Sequence, residues 1–434
     1  MKFKPYPRYK DSGVEWIGEI PEHWEIKKLK HICSESAVYG LNESSENYQE
    51  GDKENTLRFI RTTDIDETGE LNTNNSVFVK KERAKGYILN TGDILLSRSG
   101  SIGTSLFFDK EKYGDCSYAG YLVKFRTNKF NSSKFLFYFT KTELFNYQVR
   151  LEAVSSTISN FNGRKYSNIR LLTPPLREQE KIAAFLDKKT SEIDLIIENC
   201  TRLIELLQEK RTALINHVVT KGLDPEVPMK DSGVEWIGEI PKHWEIHRFK
   251  INFRYVKGKK PENLKEEEDD NSLPYLTMDF LRGNNSNTIY SEGDPKAVQV
   301  DDGDILLLWD GANAGEFLEG KKGYLSSTTV KLLIENMDHG YSKYVCKAFE
   351  PLLRDLTIGM GIPHVDKDIL GNMRIPHPPS QEQGKIAAFL DEKTFEIDFT
   401  IQKLQKNIKL FKEYKKSLIH HVVTGKLDVR EVDT

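Results

Sequence analysis

Two glycine-rich turns carry the side chains best suited to recognition chemistry. One reads Ser97-Arg98-Ser99-Gly100-Ser101-Ile102-Gly103; the other reads Leu308-Trp309-Asp310-Gly311-Ala312-Asn313-Ala314-Gly315. Each follows a Gly-Asp-Ile-Leu-Leu run, Gly92–Leu96 or Gly303–Leu307. A guanidinium fork matches guanine or a phosphate, and a carboxamide matches adenine. Arg98 and Asn313 are therefore candidates to read base edges, with Ser97, Ser99 and Trp309 beside them. Glycine lets backbone approach a partner closely, although a plain turn between two strands has the same composition. A second candidate surface is Ser159–Tyr166, with Asn160, Asn162, Arg164 and Lys165; its counterpart is Pro363–Lys367, with His364 and Lys367. Amides and cations mixed in this way suit base-edge and phosphate contacts. Any solvated loop shares that mixture.

Catalytic signatures are missing. Gly315–Lys322, GEFLEGKK, nearly completes a phosphate-binding loop but ends in Lys322, where Ser or Thr must hold Mg²⁺. Pro174-Pro175 follows Thr173 and Pro378-Pro379 follows His377, so neither completes the Asn-Pro-Pro-aromatic or Asp-Pro-Pro-Tyr motif of a base amino-methyltransferase. The ten histidines show no HExxH spacing, and no nucleophile elbow is present. The Glu266–Asp270 run reads as a solvated loop. The expectation is a chain without catalytic residues, cofactor site or metal site of its own.

The elements that would position the two turns are duplicated. Lys10–Ile26, KDSGVEWIGEIPEHWEI, and Lys230–Ile246, KDSGVEWIGEIPKHWEI, differ only at Glu22 against Lys242. Lys181–Asp194, KIAAFLDKKTSEID, matches Lys385–Asp398, KIAAFLDEKTFEID. Between these blocks the likeness thins to Asp64 with Asp279, the Gly-Asp-Ile-Leu-Leu runs, and Val123-Lys124 with Val330-Lys331. Two copies of one framework bearing different faces suit a protein that reads two different targets.

Arg177–Thr220 holds no Pro or Gly, and apolar residues recur at Ile182, Leu186, Ile193, Ile196, Cys200, Leu203, Leu207 and Leu214. This spacing predicts a long helix with a coiled-coil seam. The second copy repeats it through Ile386, Leu390, Ile397, Leu404, Phe411, Tyr414 and Leu418. Ser380 with Gln383 fits a capping box, and Gly222 and Gly425 stand where helices stop. The second helix starts beyond the second globule, so pairing with the first requires an antiparallel return. The variable regions mix short β-branched and aromatic runs with Gly and Asn turns, which predicts mixed α/β domains. Lys134–Tyr147 predicts one amphipathic helix with its aromatics in the core.

At 434 residues, 38% hydrophobic and 30% charged, the chain reads as a globular protein of at least two domains. No apolar run reaches the roughly 18–20 residues that span a bilayer, and Met1–Lys10 lacks the apolar core of a signal peptide. The four scattered cysteines fit a reducing cytoplasm. The net charge of −3 is a weak argument against a nucleic-acid partner, because a basic face can coexist with acidic surfaces.

The doubled Trp-Ile-Gly-Glu-Ile-Pro-x-His-Trp box, the Gly-Asp-Ile-Leu-Leu run with its glycine turn, and Pro174–Gln179 (Pro-Pro-Leu-x-Glu-Gln) resemble the specificity subunit of type I restriction-modification systems. The second copy departs by having Ser380 in place of the Leu. The resemblance covers nearly the whole chain. It implies an α+β architecture in which two mixed α/β target-recognition domains are joined by two long antiparallel coiled-coil helices, a pseudo-two-fold tandem repeat. The expected segments are 1–173 and 223–377 for the recognition domains, 174–222 for the first helix, and 378–434 for the second helix and tail. The resemblance further implies double-stranded DNA as ligand, read as a split asymmetric site, and two methyltransferase subunits as partners. Two endonuclease/translocase subunits would join them in the restriction form. S-adenosylmethionine, ATP and Mg²⁺ would sit on the partners. A coiled-coil scaffold for proteins alone, or a DNA-acting enzyme with an unrecognised site, are the competing readings.

Overall fold

The computed structural model describes residues 4–49, 51–52, 54–154, 161–293, 295–357 and 363–432. Its contacts divide the chain into two units: Met1–Cys200 with Lys406–Thr434, and Thr201–Gln405. Each unit thus holds one globule, part of the long helix Leu176–Lys221 and part of the long helix Ser380–Val423.

In the first unit a four-stranded antiparallel sheet runs in the order Cys33–Tyr39, Leu122–Thr127, Asp93–Ser97, Ser105–Phe107. A three-stranded sheet of Val77–Lys80, Thr56–Ile60 and Cys116–Tyr118 lies beside it in the chain's topology. The Gly-Asp-Ile-Leu-Leu run is the central strand, and Ile94, Leu95 and Leu96 are fully buried, as a run apolar on both faces requires. The second unit repeats the four-stranded order with Phe253–Lys257, Thr329–Ile334, Ile305–Leu308 and Phe317–Glu319. Its smaller sheet has five short strands in place of three.

The near-identical boxes turn out to be clasps. Tyr9–Asp11 pairs with Glu19–Pro21, and Met229–Asp231 pairs with Glu239–Pro241. The His-Trp that follows grips a glutamate in the first turn of the long helix of its own unit. His23 Nε2 lies 2.8 Å from Glu178 Oε2, while Glu178 Oε1 accepts from Trp24 Nε1 at 3.0 Å and from Tyr6 Oη at 2.7 Å. In the second unit His243 Nε2 lies 2.6 Å from Glu382 Oε1 and Trp244 Nε1 donates to Glu382 Oε2 at 2.9 Å. Trp24 and Trp244 are fully buried. The glycines that stop the helices, Gly222 (φ +77°) and Gly425 (φ +72°), lie so close to Trp244 and Trp24 that a β-carbon would come within 3.2 Å of either ring. Only glycine supplies both the left-handed backbone and that clearance.

Each globule is bolted to a helix by one repeated motif. Tyr138 Oη donates to Asp187 Oδ1 at 2.8 Å, and Tyr344 Oη to Asp391 Oδ1 at 2.6 Å. The helices also pair antiparallel within each unit. In the first unit Ile182, Leu186 and Ile193 share a core with Leu418, Ile419, Val422 and Val423; in the second Ile215, Val218 and Val219 share one with Ile386 and Leu390.

The seam is buried mainly where the helices meet their globules, and Ile196, Leu203 and Tyr414 are 40%, 43% and 51% exposed. Two expectations need correction. Lys134–Tyr147 is not one helix but parts of two, Ser133–Thr140 and Glu143–Val154. Thr142 causes the break, since its hydroxyl donates to the Phe139 carbonyl at 2.7 Å and accepts from the Phe145 amide at 3.3 Å. Gln383 does not serve Ser380: its side chain accepts from the Asp338 amide and donates to the Pro378 carbonyl, both at 2.7 Å. Gln179 does the same with the Ser132 amide (2.9 Å) and the Pro174 carbonyl (2.8 Å), with Leu176 at the Ser380 position.

Candidate nucleic-acid interface

In each unit the residue after the central strand is held by the same backbone frame. The Arg98 amide donates to the Tyr121 carbonyl at 3.0 Å, and the Arg98 carbonyl accepts from the Phe161 amide at 2.8 Å. In the second unit the Trp309 amide donates to the Thr328 carbonyl at 2.8 Å, and the Trp309 carbonyl accepts from the Val365 amide at 2.9 Å. Both candidate surfaces seen in the sequence are therefore brought together. The glycine turn and the segment after Phe161 meet in the first unit; the glycine turn and Pro363–Lys367 meet in the second, where Asp310 bridges His364.

Close approach is built in by short contacts. Tyr166 Oη donates to the Ser97 carbonyl at 2.5 Å and accepts from the Gly103 amide at 3.0 Å, closing the turn from beneath. Tyr166 is wholly buried, and burial raises its hydroxyl pKa far beyond neutrality, so it stays a donor. A β-carbon on Gly163 would come 2.7 Å from that of Ala37.

The frame is shared but its side chains are not. Arg98 places its guanidinium 4.9 Å above the Tyr39 ring and donates to the Gly120 carbonyl at 3.4 Å. Trp309 instead packs on Tyr255, ring centroids 4.8 Å apart, next to an ion pair of Lys257 Nζ with Asp310 Oδ2 at 2.8 Å. An arginine held over an aromatic face keeps its fork oriented at small entropic cost.

The expected site residues divide by what the structure does with them. Arg98, Ser99 and Trp309 are half-buried on the frame, and Arg164, His364 and Lys367 are exposed beside it. Asn162 is exposed, but its side chain caps the helix Gly163–Asn168 by accepting from the Lys165 amide at 3.0 Å. Lys165 Nζ donates to the Glu152 carbonyl at 2.6 Å. Ser97 is corrected: it is fully buried at the strand end and its hydroxyl donates to the Ser99 carbonyl at 2.8 Å, so it shapes the turn without touching a ligand. Asn313 is half-buried, and its Oδ1 accepts from Arg354 Nη2 at 3.1 Å, bracing the turn against the helix His339–Asp355. Asn160 lies outside the described residues. Sequence reasoning missed Tyr39 and Tyr255, which come from a strand far back in the chain. Each stands on the strand that precedes a close-approach glycine, Gly40 or Gly258, where a β-carbon would strike backbone oxygens at 2.3 and 2.1 Å.

Among the described residues no group of three or more His, Cys, Asp or Glu is arranged to hold a metal ion, and no helix is long and apolar enough to cross a membrane.

Comparison with known proteins agrees with this architecture. Residues 21–207 and 241–410 match the family described as type I restriction modification DNA specificity domain. The chain is 41% identical over 187 residues to the type I restriction enzyme MjaVIII specificity subunit of Methanocaldococcus jannaschii, a match covering 43% of each protein. It is 23% identical over 303 residues to the type I restriction enzyme EcoKI specificity subunit of Escherichia coli, covering 67% of this chain and 62% of that one. A further M. jannaschii relative aligns over 95% of this chain and 96% of its own length at 27% identity. Among solved structures, a chain from a study of assembly and conformational transition of a type I R-M system superposes with a TM-score of 0.72 at 16% identity, over 94% of this chain and 99% of that one. The HsdS subunit from Thermoanaerobacter tengcongensis gives 0.54 at 17% identity, over 96% and 100%. With both repeats matched, the chain belongs to the family of type I restriction modification DNA specificity proteins.

Proposed function

We propose that each unit reads one half of a split, asymmetric site in double-stranded DNA, and that the chain docks two methyltransferase subunits and, in the restriction form, two endonuclease/translocase subunits. The observation that carries this reading is the repeated backbone frame at Arg98 and Trp309, which presents different side chains from the same place. Invariant geometry with a variable face is what two readers of different sequences need. Arg98 is a donor fork for guanine, while Trp309 presents an apolar face with Asp310 and Lys257 alongside. Arg164 and Lys367 would contact phosphates and fix the register.

The repeated clasps and helix starts would form two equivalent docking surfaces, which favours two copies of one partner. Methyl transfer from S-adenosylmethionine, and ATP- and Mg²⁺-dependent cleavage, would belong to those partners, acting in the cytoplasm. Sequencing of methylated bases in cells with and without this chain tests the reading. The expected result is a two-part motif that appears only with the chain; methylation independent of it would overturn the reading. Mass measurement of the purified assembly tests the stoichiometry, and a one-to-one complex at saturating partner would contradict it.

A further inference from the structure

We propose that the first unit reads DNA with a second wall beyond the Arg98 turn, formed by Asn42, Thr63 and Tyr121, in which the Asn42 carboxamide recognises an adenine. This deepens the reading above and rests on it.

The three residues come from separate parts of the chain and line one cleft, together with Tyr48, Arg61 and Thr62. Backbone contacts fix them relative to Arg98. The Gly120 amide donates to the Leu41 carbonyl at 2.9 Å, the Leu41 amide to the Tyr118 carbonyl at 2.9 Å, and the Arg98 amide to the Tyr121 carbonyl at 3.0 Å. The Asn42 carboxamide oxygen lies against Gly120, where a β-carbon would come within 2.0 Å of it. Arg61 is pinned, donating to Asp64 Oδ1 at 2.7 Å and to the Asn75 carbonyl at 2.9 Å, so it forms a fixed, ion-paired edge of the wall. Asn42 and Thr63 are exposed, and Tyr121 is 63% exposed, high for a tyrosine.

The second unit does not keep this wall. Tyr121 is replaced by Thr328, whose hydroxyl is 3.0 Å from Ser326 Oγ. In the aligned Ile60–Ile65 and Tyr275–Phe280 segments, Arg61 becomes Leu276, Thr63 becomes Met278, and Thr277 caps a helical turn by accepting from the Phe280 amide. Polar capacity that the second unit spends on itself is turned outward in the first. A carboxamide pairs with adenine N6 and N7 through two hydrogen bonds, whereas a carboxylate in its place accepts from cytosine N4. Placed beside Arg98, Asn42 would read an A·T pair close to the G·C pair read by the guanidinium.

The test uses the complete chain with its methyltransferase partner, in cells, and sequences methylated bases for Asn42→Ala, Asn42→Asp, Thr63→Ala and Tyr121→Ala. Asn42→Ala should lower discrimination at one position of one half-site by about ten- to a hundredfold, and Asn42→Asp should move that position toward cytosine. The other half-site should stay unchanged, which also shows that the variants fold and assemble. An unaltered motif in the Asn42 variants, or relaxation spread over both half-sites, overturns the proposal while leaving the chain's general role intact. Absence of any chain-dependent motif with the unsubstituted protein overturns both.

Discussion

Lys415 Nζ lies 2.6 Å from Asp194 Oδ2, although 221 residues separate the two in the chain. The repeat makes the same contact with the roles carried by the other copy: Arg211 Nε lies 3.0 Å from Asp398 Oδ1. Each unit is therefore closed by a long helix from each half of the chain, paired antiparallel. Both ion pairs are partly exposed, so their worth is set by solvent screening. Lys415→Ala, Asp194→Ala and the double variant should give a coupling of roughly 0.2–1 kcal/mol in thermal or denaturant unfolding. A coupling several times larger would mean that the pair, rather than the apolar seam beneath it, holds the helices together.

Glu178 should matter more than Glu382. Glu178 is 7% exposed and receives Tyr6, His23 and Trp24, whereas Glu382 is 38% exposed and receives His243 and Trp244. Glu178→Ala strands buried donors and should cost roughly 3 kcal/mol, against roughly 1–2 kcal/mol for Glu382→Ala. Chemical denaturation of both variants checks the order, and equal losses would contradict it.

Acid should weaken the second unit through His377. Its ring stacks on His247 with centroids 3.9 Å apart, and its Nδ1 is buried without a hydrogen-bond partner. Burial first, and the neighbouring His247 second, hold its pKa below the usual histidine value, with Glu245 opposing. The unfolded chain then takes up a proton before the folded one does, so stability falls as pH drops below about 6.5. The first copy has Thr173 at this place. His377→Thr should flatten the fall in melting temperature between neutral pH and about pH 5; an unchanged slope would place the acid sensitivity elsewhere.

Arg98→Ala should relax one G·C position of one half-site by a factor of roughly 5 to 150 and leave the other half intact. Arg164→Ala should weaken binding evenly across sequences and lessen its salt dependence. Binding of the assembled complex to a randomised oligonucleotide pool separates the two outcomes. A uniform loss from Arg98→Ala would make it a phosphate contact.

The repeat, the long helices and their antiparallel return were legible because they rest on local identity and on a period the chain displays. The glycine turns were legible as matching places in the two copies for the same reason. What escaped notice depends on distant partners. Tyr39 meets Arg98 only because the strand Cys33–Tyr39 joins the sheet two places from Asp93–Ser97. Asn313 reads as a free carboxamide until Arg354, 41 residues on, takes its oxygen. Ser97 looks like turn but completes a buried strand, and Thr142 ends a helix whose apolar period runs straight through it.

Exchange of residues 27–173 for the matching region of a relative with a different motif, followed by sequencing of methylated bases, tests the central claim most directly. Two independent readers on one framework require that one half of the motif change to that of the relative while the other half stays as it was. A motif altered in both halves, or one that follows the unexchanged region alone, would contradict the account.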